Sequence, residues 1–257
     1  MGIDKQSLYP WLIYSRPFPY NDQITLHPVR MKDYIDFQFF SESITIRKNS
    51  RFSDKSILKM TYLDFLIYAA GHPELETRFR FPNLSQQYRY LCGLLFLVCP
   101  DHEIKMNSAS AHIFINGCEV TSEVLEDLRR IILLQNGVDF DIDEFLNYDT
   151  QRALEAARKK QSRGKAASTI EDYIDSLIVA LHVSEAEIMN YSIRKFWRYI
   201  KRYHLYENYS LMRAGECTGM VRFQEPLTYW MASVDDDTDK YNDFITDENS
   251  LKNRISQ

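Results

Sequence analysis

The sequence predicts an α+β fold, with a helix-rich N-terminal domain that carries a small antiparallel sheet and a helical C-terminal domain after it. Three observations lead there. Eight glycines and eight prolines among 257 residues are about half the average share, so long segments run without a breaker. Asn116-Gly117 sits between alternating apolar and polar runs, and both residues tolerate the positive φ that a two-residue type I′ hairpin requires. In the second half, Ser168 and Ser184 are each followed three residues on by Glu, the spacing of a capping box.

The elements are justified in chain order. Residues 1–20 hold Pro10, Pro17 and Pro19 among aromatics and read as extended or irregular chain. Ile24 to His27 is a short strand, and Pro28 ends it. A helix comes next, from Met31 to Ser41. Its apolar residues Tyr34, Ile35, Phe37 and Phe39 lie on more than one face, which predicts burial. Ser43 to Lys48 alternates with a period of two and reads as a strand. Asp54 to Ala70 reads as one helix with Asp54 as N-cap and Gly71 as its stop. Ser85 to Val98 is the next helix, closed by Pro100. Ala111 to Thr121 forms the hairpin, and Glu103 to Met106 adds a third strand. Ser122 then caps a helix to Leu134, with Gly137 as its stop.

Residues 1–137 therefore read as the α+β domain. Residues 138–168 read as an acidic-then-basic linker or exposed helix. From Gln151 to Ser168 there are six basic residues and one acidic, and the segment is polar on all faces. Residues 169–234 form the helical domain. One helix runs from Ile170 to about Leu181, and a longer one from Ser184 to about Ala214. Residues 235–257 are an acidic tail: Asp235 to Glu248 hold seven acidic residues and one basic.

Composition excludes several function classes. The net charge of −5 argues against non-specific nucleic-acid binding, which needs a basic surface. Cys92, Cys99, Cys118 and Cys217 lack CxxC spacing and read as free thiols in a reducing compartment. The opening MGIDKQSLYPW has no apolar core for a signal peptide, and Gln6 stands where a myristoylation motif wants Ser or Thr. Leu91 to Cys99, the longest apolar stretch, is about half the length that spans a bilayer. The expected protein is soluble and intracellular.

Chemistry-bearing patterns are sparse. The six histidines show neither HExxH nor HxH spacing. Asp139, Asp141 and Asp143 resemble the start of a calcium loop, but the ladder lacks the central Gly and the final Glu. Walker, nucleophile-elbow and dinucleotide patterns are absent. The sequence thus predicts no enzyme, cofactor or metal site. Leu177 to Lys195 looks like a helix-turn-helix, but Glu185 and Glu187 occupy the first turn of its second helix, where they would repel phosphates. Arg194 to Arg213 interleaves six Arg or Lys with Trp197, Tyr199, Tyr203, Tyr206 and Tyr209. That pattern fits a solvated amphipathic face, a protein interface or single-stranded nucleic acid.

The C-terminal half carries a family likeness. Its segments STIEDYIDSLIVALHVSEAEIMNYSIRKFWRYIKR, then Gly219 to Phe223 and Pro226 to Met231, resemble the C-terminal region of tail-assembly proteins of large bacteriophages of Gram-positive hosts. The runs ITLHPVRMKDYIDF, IRKNS and KMTYLDFL extend the resemblance toward the N-terminus. The resemblance implies a non-enzymatic tail-assembly chaperone. Its implied partners are the tape-measure protein and tail-tube subunits, and self-association is compatible with the role. The implied location is the host cell cytoplasm, with the protein shed before the virion matures. The alternatives are a structural virion protein of baseplate or neck, and a helix-turn-helix regulator. A chaperone for an apolar helix needs aromatic and Met side chains able to repack against it. The aromatics cluster near residues 9–40 and 191–230. From these, Tyr34, Phe37, Phe39, Phe196, Trp197, Tyr203, Tyr206 and Trp230 are the expected partner-binding residues.

Overall fold

The computed structural model describes residues 3–107, 111–143, 168–218, 227 and 229–234. Contacts divide the chain into two compact units, Met1–Trp197 and Arg198–Gln257. The fold is helix-rich with two small antiparallel sheets. Most of the expected 138–168 linker and the whole 235–257 tail lie outside the described residues.

In the first unit, α1 spans Lys5–Tyr14, where extended chain was expected. Asp4 and Ser7 form a reciprocal capping box, with the Ser7 amide donating to Asp4 Oδ1 at 2.7 Å. Leu8 and Leu12, one turn apart, are buried as α1 packs on α8 (Ser122–Asn136). That packing outweighs the cost of Pro10 inside the helix. Strands β1 (Phe18–Pro19) and β2 (Thr25–Leu26) pair antiparallel.

A 3₁₀ turn, Met31–Asp33, leads into α2, Tyr34–Ser41. The expected strand at 43–48 is instead a 3₁₀ turn, Glu42–Ile44, followed by α3, Lys48–Arg51. Ile44 and Ile46 are both buried, so the alternation was informative. Side chains, however, take the backbone groups that a ladder would have used. Arg129 donates to the Ile44 carbonyl from Nε at 3.2 Å and from Nη2 at 2.8 Å. The Tyr62 hydroxyl accepts from the Ile46 amide at 3.1 Å and donates to the Ser43 carbonyl at 2.7 Å.

The single helix expected over 54–70 is two, α4 (Lys55–Lys59) and α5 (Tyr62–Gly71). Asp54 caps α4 as expected, accepting from the Ser56 amide at 3.0 Å. Lys48 Nζ then reaches the carbonyls of Ile57, Leu58 and Met60 at the far end of α4. Thr61 caps a new start, accepting from the Asp64 amide at 3.2 Å. After α6 (Glu74–Phe79), α7 covers Gln87–Val98. Leu91, Leu94, Leu95 and Val98 are buried as α7 packs against α2 and α5.

The hairpin is as expected. Strands β3 (Ile104–Asn107), β4 (His112–Ile115) and β5 (Cys118–Glu119) form one antiparallel sheet. Ile115 pairs with Cys118 across Asn116 (φ 49°) and Gly117 (φ 81°). Thr121, rather than Ser122, caps α8, because its hydroxyl accepts from the Val124 amide. Gly137 closes α8 with φ 67°.

The buried C-terminal residues of α8 fasten the segment after β2. Gln135 Nε2 donates to the Leu26 carbonyl at 3.1 Å. Asn136 Oδ1 accepts from the Val29 amide at 2.8 Å, while the His27 amide donates to the Val98 carbonyl of α7. Further on are α9 (Ile170–Leu181), α10 (Glu185–Asn190) and α11 (Ile193–Cys217). The α9 box is one residue later than expected, Thr169 with Asp172, whereas Ser184 with Glu187 caps α10 as expected.

The long helix expected from Ser184 breaks at Tyr191–Ser192. There the Met31 amide donates to the Tyr191 carbonyl at 2.9 Å, and the Ile193 amide to the Val29 carbonyl at 3.0 Å. A two-way backbone clip holds these residues extended, and α11 starts afresh beyond it. Helix α11 then runs past Gly215, the expected stop. Among the described residues, no helix is long and apolar enough to cross a membrane.

Candidate partner-binding surface

Helix α2 is apolar on two faces. Phe37 is buried. Ile35 and Phe39, one turn apart, face outward at 65% and 48% exposure, contrary to the burial expected for the whole helix. The Phe39 ring lies 4.4 Å from Tyr90 of α7 and 5.6 Å from Phe40. Opposing helices held by aromatic contacts thus leave an apolar stripe facing outward.

A second cluster forms beside the clip that joins Tyr191 and Ile193 to Met31 and Val29. Trp197 packs 6.4 Å from Tyr34, 5.2 Å edge-on to Tyr173 of α9, and 5.2 Å edge-on to Phe196. Phe196 is fully buried, whereas Tyr34, Tyr173 and Trp197 are half-buried. Burial raises the Tyr34 hydroxyl above its ordinary pKa.

The second unit has its own aromatic set. Tyr206 packs edge-on to Trp230 and Tyr209 edge-on to Tyr229, each at 5.6 Å. Arg202 donates to the carbonyls of Trp230 and Ala232, which holds residues 229–232 against α11. Tyr203 donates to Glu207 at 2.6 Å. Tyr206, Leu211, Met212, Tyr229 and Met231 all expose more than a third of their surface.

Of the eight expected partner-binding residues, the structure joins Tyr34, Phe196 and Trp197 in one cluster and Tyr206 with Trp230 in another. Phe39 stands with Tyr90, and Tyr203 turns to Glu207. Phe37 and Phe196 are core residues, each at 3% exposure or less, so they support a surface from beneath and cannot meet a partner in this conformation. Ile35, Tyr90, Tyr173, Tyr209 and Tyr229 also belong to these clusters. Only the i, i+3 spacing of Tyr209 from Tyr206, on one helix face, could have signalled one of them.

The other patterns resolve structurally. Ser184 donates to Glu187 from its amide at 2.8 Å and its hydroxyl at 2.9 Å. These bonds hold the Glu187 carboxyl below its ordinary pKa, so a negative charge sits at the N-terminus of α10, where a recognition helix would need to meet phosphate. His182 takes the left-handed turn conformation, φ 53°, that glycine fills in DNA-binding versions. Both oxygens of Asp143 accept from Arg130 at 2.6 Å, which lowers the Asp143 pKa and commits that carboxylate to an ion pair. Among the described residues, no group of His, Cys, Asp and Glu is placed to hold a metal ion.

Neither the curated proteins nor the solved structures include a significant match to the chain. Residues 147–235, which take in α9, α10, α11 and the Tyr206–Trp230 cluster, match the family described as the YomV second domain, a phage-associated domain.

Proposed function

We propose that the chain is a non-enzymatic phage tail-assembly chaperone that binds the tape-measure protein and tail-tube subunits during tail morphogenesis. The phage-associated domain match supports the setting. The observation that carries the role is the exposed apolar set of the second unit, Tyr206, Leu211, Met212, Tyr229 and Met231, all of it within the matched residues. Aromatic and Met side chains repack against varied apolar helices at low cost, and Tyr and Trp are enriched where binding energy concentrates. The charged remainder of the surface would keep such a complex dispersed, in the host cytoplasm and outside the finished particle.

Co-expression with the tape-measure protein of the same genome tests this. A soluble complex with several copies of the chain per tape measure is expected. Y206A/Y229A should weaken it at least tenfold while leaving the fold intact. A tape-measure protein that stays insoluble and unbound overturns the proposal. Stoichiometric presence of the chain in purified virions, read by mass spectrometry, would instead favour a structural subunit of baseplate or neck.

A further inference from the structure

We propose that the free edge of β3 is a self-association surface, on which a second copy of the chain pairs its own β3 antiparallel about Ile104. The register identifies the open backbone groups. The Asn116 amide donates to the Glu103 carbonyl at 2.8 Å, and the Val120 amide to the Ile113 carbonyl at 2.9 Å. Antiparallel pairing alternates between residues that exchange hydrogen bonds and residues that do not. Glu103 and Lys105 therefore turn their backbone groups to β4. Ile104, opposite Ile115, and Met106, opposite Ile113, turn theirs to the outer edge. Among the described residues, nothing bonds the amides or carbonyls of Ile104 and Met106.

Side chains of directly opposed residues share a face of the sheet. Ile104 and Met106 thus lie on the face that carries the buried Ile113 and Ile115. Met106 is nonetheless 51% exposed and Ile104 only half-buried. The apolar face reaches the edge incompletely covered, and a further strand would extend it.

Charge selects the occupant and its register. A lysine on an edge strand discourages pairing with another edge, and a register with Lys105 opposite Lys105 sets like charges together. A two-fold axis at Ile104 sets Glu103 of each copy opposite Lys105 of the other instead. Both side chains are mostly exposed, and they already pair within the strand at 3.0 Å. In this register the two Ile104 residues exchange backbone hydrogen bonds. Glu103 and Lys105 fall at the positions between, where opposed Cα atoms approach to about 4.5 Å. The edge is therefore complementary to itself in backbone, apolar face and charge. It spans four residues, so the association is reversible. This surface belongs to the first unit and uses none of the residues assigned to tape-measure binding.

Sedimentation of the full chain over a wide range of concentration tests this. A reversible dimer is expected. E103K and K105E should each weaken it about tenfold or more, because each turns two attractive cross-strand pairs into repulsive ones. An equimolar mixture of the two variants should dimerise again, since each copy then meets charges of the opposite sign. Both substitutions are at exposed positions, so the circular dichroism should be unchanged. Hydrogen exchange at the Ile104 amide of the native chain should slow several-fold as concentration rises. A chain that stays monomeric, a dimer indifferent to both substitutions, a mixture that does not associate, or an Ile104 amide whose exchange ignores concentration would overturn the proposal.

Discussion

Arg129 is a heavily committed charge in the first unit, and replacing it tests how the unit is held together. The side chain is 3% exposed. It donates twice to the Ile44 carbonyl and twice to Glu126, at 2.9 and 2.8 Å. Its guanidinium carbon stands 3.4 Å from the centre of the Tyr62 ring. R129A would leave the Ile44 carbonyl buried without its donor, about 1–3 kcal/mol. It would also remove a desolvated cation–π contact of about 2 kcal/mol. Glu126 is 36% exposed, so water compensates much of its loss. Release of the arginine's own desolvation offsets part of the total, and about 3–5 kcal/mol is expected, the range for breaking one side of a buried pair. With a urea slope of about 2 kcal/mol per molar, the midpoint should fall by roughly 1.5–2.5 M. R129K restores the charge but not the planar fork and should fall between. A loss below about 0.5 M for R129A would refute the view that this network takes the place of sheet pairing at 43–46.

Gly137 has φ 67°, and a Cβ there would come within 3.2 Å of Arg194 Cγ. G137A should cost about 1–2 kcal/mol and lower the melting temperature, whereas an unchanged melt would place the α8 stop elsewhere. Burial pushes the hydroxyls of Tyr20 and Tyr88 up to about 12, with the hydrogen bond to Asp127 adding to the shift at Tyr20. A folded pKa above the unfolded value of 10 gives stability that is fully present below pH 10 and lost as pH rises toward 12. Urea midpoints measured from pH 9 to 12 should therefore fall less steeply for Y20F/Y88F than for the native chain, and parallel slopes would contradict it. Burial raises the Cys92 thiol to about 11 and Cys99 to about 12, while Cys217 is exposed. At pH 8 a thiol reagent should label Cys217 first and leave Cys92 and Cys99 unmodified until unfolding. Early labelling of either buried thiol, read by peptide mass, would contradict their placement.

The legible features were those encoded within a few residues. Asn116-Gly117 needs two positive φ angles and one turn type, so the hairpin could be read directly. The Ser184–Glu187 box and the Gly137 stop are equally local, because one side chain or one missing Cβ decides each. The misread segments failed where the deciding partner lies far along the chain. Ile44 and Ile46 alternate like a strand, yet Arg129 and Tyr62 capture the backbone groups of residues 43–46. Residues 54–70 carry one continuous apolar stripe, yet Lys48 closes α4 from outside and Thr61 opens α5. Of the binding surface, the choice of aromatic residue types was legible, but which of them face outward was not. Phe37 and Phe39 are two positions apart on one helix, and only tertiary packing buries the first and leaves the second exposed.

By itself the sequence determined the fold class, the hairpin, the capped helices of the second half and the opposed blocks of charge, because propensity, turn chemistry and charge act over short separations. The tertiary structure alone decided where the long helix breaks. Tyr191 and Ser192 would continue a helix on local preference, but the backbone of Val29 and Met31 offers two hydrogen bonds that a continuous helix could not accept. That exchange of local for distant pairing ties residues 191–193 to residues 29–31, and it sets Trp197 beside Tyr34 and Tyr173.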